Sequence, residues 1–316
     1  MPALLCTIGG VSPPTTPAPA PAPPALDYPF ETPPDPGEAI EVAPGVLWIR
    51  MPLPFTLAHI NLWAIEDGER WTLVDTGVRS PEIASAWRRL RDGALRGRGV
   101  ERVIVTHMHP DHVGMAGWIT RRAGCRLWMT RLEYLTCRTL VADTGRDPPE
   151  DGIRFYLRAG WTEDDIESYR ARFGEFGKHT YALPDSYRRL VDGETIRIGA
   201  HDWRVITGGG HSPDHACLHS PSLKLLVSGD QVLPRISSNI SVFPTEPDAD
   251  PLGAVPGAAR ADRRPGGGPR ARPRGAAREA RGAAPGHRRL RRAVPPPDRH
   301  AAPAVDGDRR DDRPRP

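Results

Sequence analysis

Thr106-His107-Met108-His109-Pro110-Asp111-His112 decides how this chain is read. Three imidazoles and a carboxylate fall within six residues, directly after the β-branched run Val103-Ile104-Val105. Such a run reads as a buried strand, and α/β proteins build their sites at the C-terminal ends of buried strands. Imidazole and carboxylate donors together suit zinc, iron or manganese. The pattern predicts a metal centre at a strand end.

Two more carboxylates close apolar runs. Asp75-Thr76-Gly77 follows Trp71-Thr72-Leu73-Val74, and Ser228-Gly229-Asp230 follows Leu225-Leu226-Val227. A further histidine pair lies in Gly210-His211-Ser212-Pro213-Asp214-His215. In this order the four elements resemble the metallo-β-lactamase-fold hydrolases, over about residues 40–251. The resemblance implies an α/β fold, a four-layer αβ/βα sandwich with its site at one edge. It also implies that His107, His109 and His211 hold a first metal, that Asp111 and His112 hold a second, and that Asp230 bridges them. Two divalent ions are implied, zinc first, with iron or manganese as alternatives.

The chemistry follows from the donors. A metal pair lowers the pKa of a bound water towards neutrality and stabilises the oxyanion that forms when this water attacks a carbonyl. Asp111 is placed to orient the water and accept its proton. Asp75 has two readings: it fixes a ligand's tautomer, or it is a turn aspartate that caps backbone amides. His215 either lines the pocket or makes a local hydrogen bond. His59, before Ile60-Asn61-Leu62, is expected on a loop near the site. Gly208-Gly209-Gly210 lacks the lysine of a phosphate loop and reads as a close backbone approach beside His211.

Charge is unevenly spread over the 316 residues. Residues 252–316 hold 17 Arg against 7 acidic residues, leaving 26 basic and 32 acidic in 1–251. The basic pI belongs to the tail, so it gives no support for nucleic-acid binding. Cys6, Cys125, Cys137 and Cys217 form no C-x-x-C pair and suggest no disulfide framework, which fits a reducing compartment. No run is long and apolar enough to span a membrane. Ala3-Leu4-Leu5 is too short for a secretory core. A cytoplasmic protein acting on a small molecule is expected, with a homodimer left open.

Residues 1–39 form a Pro/Ala-rich segment, expected to be disordered. From about Ile40 the pattern predicts strands at 46–49, 60–65 and 71–74, with a hairpin at Asp67-Gly68. Ser80-Pro81-Glu82 starts a helix. Residues 131–190 read as a helical, aromatic insertion that covers the site or simply packs on the domain. Within it Thr162 and Asp165 form a capping pair, with Ile166, Tyr169 and Phe173 on one helix face. Strands return at 194–198, 203–206 and 223–227.

Leu252 to Pro316 uses only nine residue types, all encodable by codons that start with G or C. GC-rich DNA reads this way out of frame. Shifting each codon by one base permits Val-Leu-Pro-Ala-Lys-His-Gly from Gly275 to Gly282, a segment like the one that holds the last metal histidine of the resembled family. A frameshift near Gly253 is therefore expected, with a disordered tail and one ligand missing. His287 and His300 are poor substitutes. The leading function is hydrolysis of a thioester of the hydroxyacylglutathione type. Alternatives are a lactonase or another hydrolase of the same fold, a one-iron persulfide dioxygenase, and an inactive truncated relative.

Overall fold

The computed structural model describes residues 27–54, 58–234 and 236–255. The chain divides after Thr32, and the fold is that of the unit beginning at Pro33. Its first half is a meander. β1 (Ala39–Ala43), β2 (Val46–Pro52), β3 (His59–Asp67) and β4 (Arg70–Val74) pair antiparallel in order. The expected hairpin is present, with Asp67 opposite Arg70 and Gly68 at φ +63°, a conformation glycine adopts at little cost.

From β4 onward the connections are helical and the pairing turns parallel. α1 (Pro81–Asp92) starts as its sequence indicates: the Ser80 hydroxyl accepts from the Ile83 amide at 3.1 Å, and Pro81 occupies the first turn. Ile83, Trp87 and Leu90 form its buried stripe. β5 (Val100–Ile104) then pairs parallel with β4. After α2 (Pro110–Val113) and α3 (Ala116–Ala123), β6 (Arg126–Met129) pairs parallel with β5. α4 (Arg131–Ala142), α5 (Glu150–Arg158) and α6 (Glu163–Arg172) make up the helical segment. β7 (Arg188–Arg189) closes a seven-stranded sheet.

A second, antiparallel sheet holds β8 (Thr195–Ile198), β9 (His201–Gly208), β10 (His215–Ser220) and β11 (Leu225–Val227). Strand alternation separates two cores. Leu73 and Val103 join α1, α3 and α4 on one face of the large sheet. Val74 and Ile104 face the other way, onto Trp203, Val205 and Leu218 of the small sheet. The described residues thus give helix, sheet and sheet. Ile206 and Leu226 lie exposed on the far face of the small sheet. Among the described residues no helix covers that face, and the expectations of a frameshifted, disordered tail and for His287 and His300 concern residues outside those described.

Structure and sequence differ at two places here. Phe173 does not continue the helical face of Ile166 and Tyr169, because α6 ends at Arg172 and Phe173 is extended. Its ring still meets that of Tyr169, 5.7 Å between centroids. β10 is a strand that the sequence reading passed over: His215, Ala216, Cys217 and Leu218 are buried in succession, so the alternation that marks a half-buried strand is missing.

Candidate metal centre

Parallel pairing of β4, β5 and β6 aligns their C-terminal ends. Asp75, the 106–112 segment and Thr130 therefore leave the sheet along one edge. The β9–β10 connection delivers His211 to this edge, and the turn after β11 delivers Asp230. Asp75-Thr76-Gly77 embraces the ligand segment. The Thr76 amide and hydroxyl both donate to the His112 carbonyl, at 2.8 and 2.7 Å, and the Met115 amide donates to the Gly77 carbonyl.

Three imidazoles converge. His107 Nε2 lies 2.9 Å from His109 Nδ1 and 3.2 Å from His211 Nε2. A tetrahedral zinc with bonds of about 2.05 Å separates its ligand atoms by about 3.3 Å, so this spacing suits one ion. The tautomers suit it too. His211 Nδ1 donates to the Asn239 carbonyl at 3.0 Å. Thr106 Oγ1 donates to Asp75 Oδ2, which leaves its lone pair to accept from His107 Nδ1 at 3.0 Å. Both rings then present bare Nε2 lone pairs to the centre.

Beside this trio, His107, His112 and Asp230 form a second cluster of candidate ligands. His112 Nδ1 donates to Asp75 Oδ2 at 2.8 Å, while its buried Nε2 has no hydrogen-bond partner. That Nε2 faces Asp230 Oδ1 at 3.4 Å and Asp111 Oδ2 at 3.7 Å. The other oxygen of Asp230 lies 3.6 Å from His211 Nε2, so one carboxylate spans both clusters. A buried, unpartnered nitrogen between carboxylates is an expensive arrangement unless a cation completes it. The donors present fit a divalent metal site.

Charge is arranged to match. Burial first, then the neighbouring imidazoles, pushes His107 well below the ordinary histidine range. The same causes take His109 and His215 down to about 3, and burial also lowers His211. These rings are held neutral, the form a metal needs. For His112 burial again favours the neutral form, but Asp75, Asp111 and Asp230 together raise it well above the usual value. Asp230 is held far below the carboxylate range: burial opposes this, but the neighbouring His112, then His211 and His109, outweigh it. The surroundings of His112 Nε2 are thus a negative well.

Asp75 makes contacts of both kinds. Besides His112 it accepts from the Thr106 amide at 2.8 Å, and it does so from a left-handed backbone, φ +62°, that aspartate tolerates better than most residues. His215 is wholly buried and does not enter either cluster. Its Nε2 accepts from the Asp230 amide at 3.1 Å and its ring stacks on His107. It orients Asp230, which is the local hydrogen-bonding reading. His59 is the exposed first residue of β3, on the strand rather than on a loop, and belongs to neither cluster. Antiparallel β3–β4 pairing does put it at the same sheet edge as Asp75.

Sequence reasoning missed Glu133, Thr106 and the Asn239 carbonyl. Glu133 is wholly buried and receives bonds from both ligand-bearing loops. Its position in the first turn of a helix reads as an ordinary solvent-facing acid, and nothing local marks it otherwise.

The family profile of the metallo-beta-lactamase superfamily matches residues 56–287, and the chain belongs to this superfamily. It is similar to a beta-lactamase domain protein of Burkholderia ambifaria of known structure: 43% identity, TM-score 0.66, covering 75% of this chain and 68% of that one. The bovine acyl-coenzyme A thioesterase MBLAC2 is 28% identical over 60% of this chain and 63% of its own length. The atrochrysone carboxyl ACP thioesterase of Aspergillus fumigatus is 26% identical over 60% of this chain and 34% of its own. The chain therefore spans less than two thirds of these two thioesterases.

Proposed function

We propose that this protein is a metal-dependent thioester hydrolase. The observation that carries the proposal is the convergence of His107, His109 and His211 nitrogens beside a buried, unpartnered His112 Nε2 that faces Asp111 and Asp230. His107, His109 and His211 would hold one ion, Asp111 and His112 a second, with Asp230 between them. Zinc suits this nitrogen and oxygen set best, with iron or manganese as substitutes. When bound, such a pair supplies a Lewis acid for the carbonyl oxygen and a water of near-neutral pKa.

The chain's own residues do the rest. Asp75 keeps the His112 proton on Nδ1, and the Asn239 carbonyl keeps the His211 proton on Nδ1. Asp111, part exposed beside His112 Nε2, would accept the proton of the attacking water on its carboxylate. The thiolate then leaves. The names of two relatives favour an acyl thioester of coenzyme A or a carrier protein over the glutathione thioester expected from the sequence. The aromatic helices α5 and α6 are proposed to shape acyl-chain preference.

A panel of acyl-coenzyme A thioesters, a hydroxyacylglutathione, a lactone and a β-lactam, each assayed with the zinc-loaded protein, tests the reading. Thiol release from a thioester at a kcat/KM at least tenfold above the lactone and β-lactam rates is expected. Faster turnover of either oxygen or nitrogen acyl substrate contradicts it.

A further inference from the structure

Glu133 stands in the first turn of α4, with no exposed surface. Isolated carboxylates are strongly disfavoured in such places and persist where donors satisfy them. Here the donors come from two distant segments. Oε2 accepts from the Met108 amide at 2.8 Å. Oε1 accepts from the Ser212 hydroxyl at 2.6 Å and from the Asp214 amide at 2.7 Å. Met108 lies between His107 and His109, and Ser212 follows His211. One carboxylate therefore joins the two loops that carry the three converging imidazoles.

The same helix turn grips the second loop twice. Thr130 precedes α4 but does not cap it with its side chain; its hydroxyl donates instead to the Asp214 carbonyl at 2.7 Å. Asp214 is thus held by its amide to Glu133 and by its carbonyl to Thr130. The His107 and His211 nitrogens, one from each loop, lie 3.2 Å apart.

We propose that Glu133 is a positioning residue of the metal centre, fixing the spacing between the His107–His109 loop and the His211 loop. The proposal rests on the metal-site reading above. It assigns the carboxylate to ligand geometry rather than to fold stability. An amide cannot replace it: whichever way Glu133→Gln is turned, an N–H2 group faces an N–H or O–H donor from one loop. The brace is then broken on one side while size and shape are kept.

The test measures zinc affinity by competition with a chromophoric chelator, the visible spectrum of the cobalt(II)-substituted protein, and thermal unfolding of the chelator-treated protein. Glu133→Gln is expected to lower zinc affinity by about 10- to 100-fold and to alter the cobalt spectrum, the size seen when a group that orients a metal ligand is lost. Metal-free unfolding should shift by only a few degrees. Ser212→Ala removes one of the three bonds and leaves the buried carboxylate with two; a smaller loss in the same direction is expected, and this variant carries the test if Glu133→Gln does not fold. Wild-type zinc affinity and cobalt spectrum in a folded variant overturn the proposal, as does a lower unfolding temperature with affinity unchanged. If wild type and variant bind zinc equally, only the role of Glu133 falls. If wild type binds no metal, the metal-site reading falls and takes this one with it.

Discussion

Asp75 accepts a hydrogen bond from His112 Nδ1 across 2.8 Å, and both side chains are almost completely buried. The bond fixes one proton of His112 on Nδ1, and so leaves Nε2 to face Asp111 and Asp230. Asp75→Asn keeps the left-handed backbone but offers an amide that can donate where it must accept. The expected result is a loss of metal affinity of about 10- to 100-fold, with a stability cost of about 1–3 kcal/mol for the disturbed buried bonds. Chelator competition and urea denaturation measure the two effects separately. Unchanged metal affinity would show that Asp75 only braces the turn.

Asp111 is a different case. It is partly exposed and faces His112 Nε2 at 3.7 Å, so little of the fold depends on it. Asp111→Asn should reduce kcat by about 10²- to 10⁴-fold, the usual range for a group that transfers a proton. The unfolding temperature should move by no more than about 2 °C, which is under 1 kcal/mol for a domain of this size. A rate near that of wild type would remove Asp111 from proton transfer.

Gly114 marks how tightly the ligand segment is packed. A Cβ there would lie 2.6 Å from the Arg79 amide nitrogen and 2.7 Å from the Gly77 carbonyl, and closer still to the Pro110 carbonyl. All three are backbone atoms and cannot swing aside. Gly114→Ala is expected to cost about 1–3 kcal/mol by overpacking and to weaken metal binding, because the displaced backbone carries His112. Thermal unfolding with and without zinc reads both effects.

The lowered histidines predict a pH dependence of the metal-free protein. His109 and His215 sit at about 3 in the folded chain and near the ordinary 6.5 when unfolded. The unfolded state therefore gains protons first as the pH drops. Stability from these groups is complete above about pH 6.5 and is lost progressively down to about pH 3. The raised His112 works in the opposite sense, since it gains stability as the pH falls through its folded value. The histidines that are lowered outnumber it. The urea midpoint of chelator-treated protein should fall between pH 7 and pH 5, because the contribution of His112 is already complete below about pH 6.5; an unchanged or rising midpoint would mean that the other rings are not held neutral.

Much of this was legible in the sequence because its signals are local. The β-branched run before His107 gave the strand, Ser80-Pro81 gave the helix start, and Thr162 with Asp165 forms the capping box its spacing suggests. Asp67-Gly68 located the hairpin. What was not legible depends on partners far away in the chain. Glu133 is buried because residues 25, 79 and 81 positions distant supply donors to it. β10 is buried on both faces, which erases the alternation that identifies a strand. His59 looked like a loop residue because nothing local says that β3 begins with it.

The shifted-frame reading of the tail is tested on the gene. Sequencing the source DNA across Leu252–Gly257 should show one base missing or extra relative to the frame that encodes the arginine-rich segment. A confirmed frame would instead require the second metal to bind without a histidine from that segment, and the zinc stoichiometry of the full chain would reveal it.

Metal removal and return test whether the site hydrolyses thioesters through bound metal. The full chain is stripped with a chelator, metal content is determined, and thiol release from an acyl-coenzyme A thioester is followed as zinc is added back. The account predicts that activity vanishes with the metal and returns in step with zinc bound, and that His107→Ala neither binds zinc nor recovers. Undiminished thioester hydrolysis by metal-free protein would contradict it.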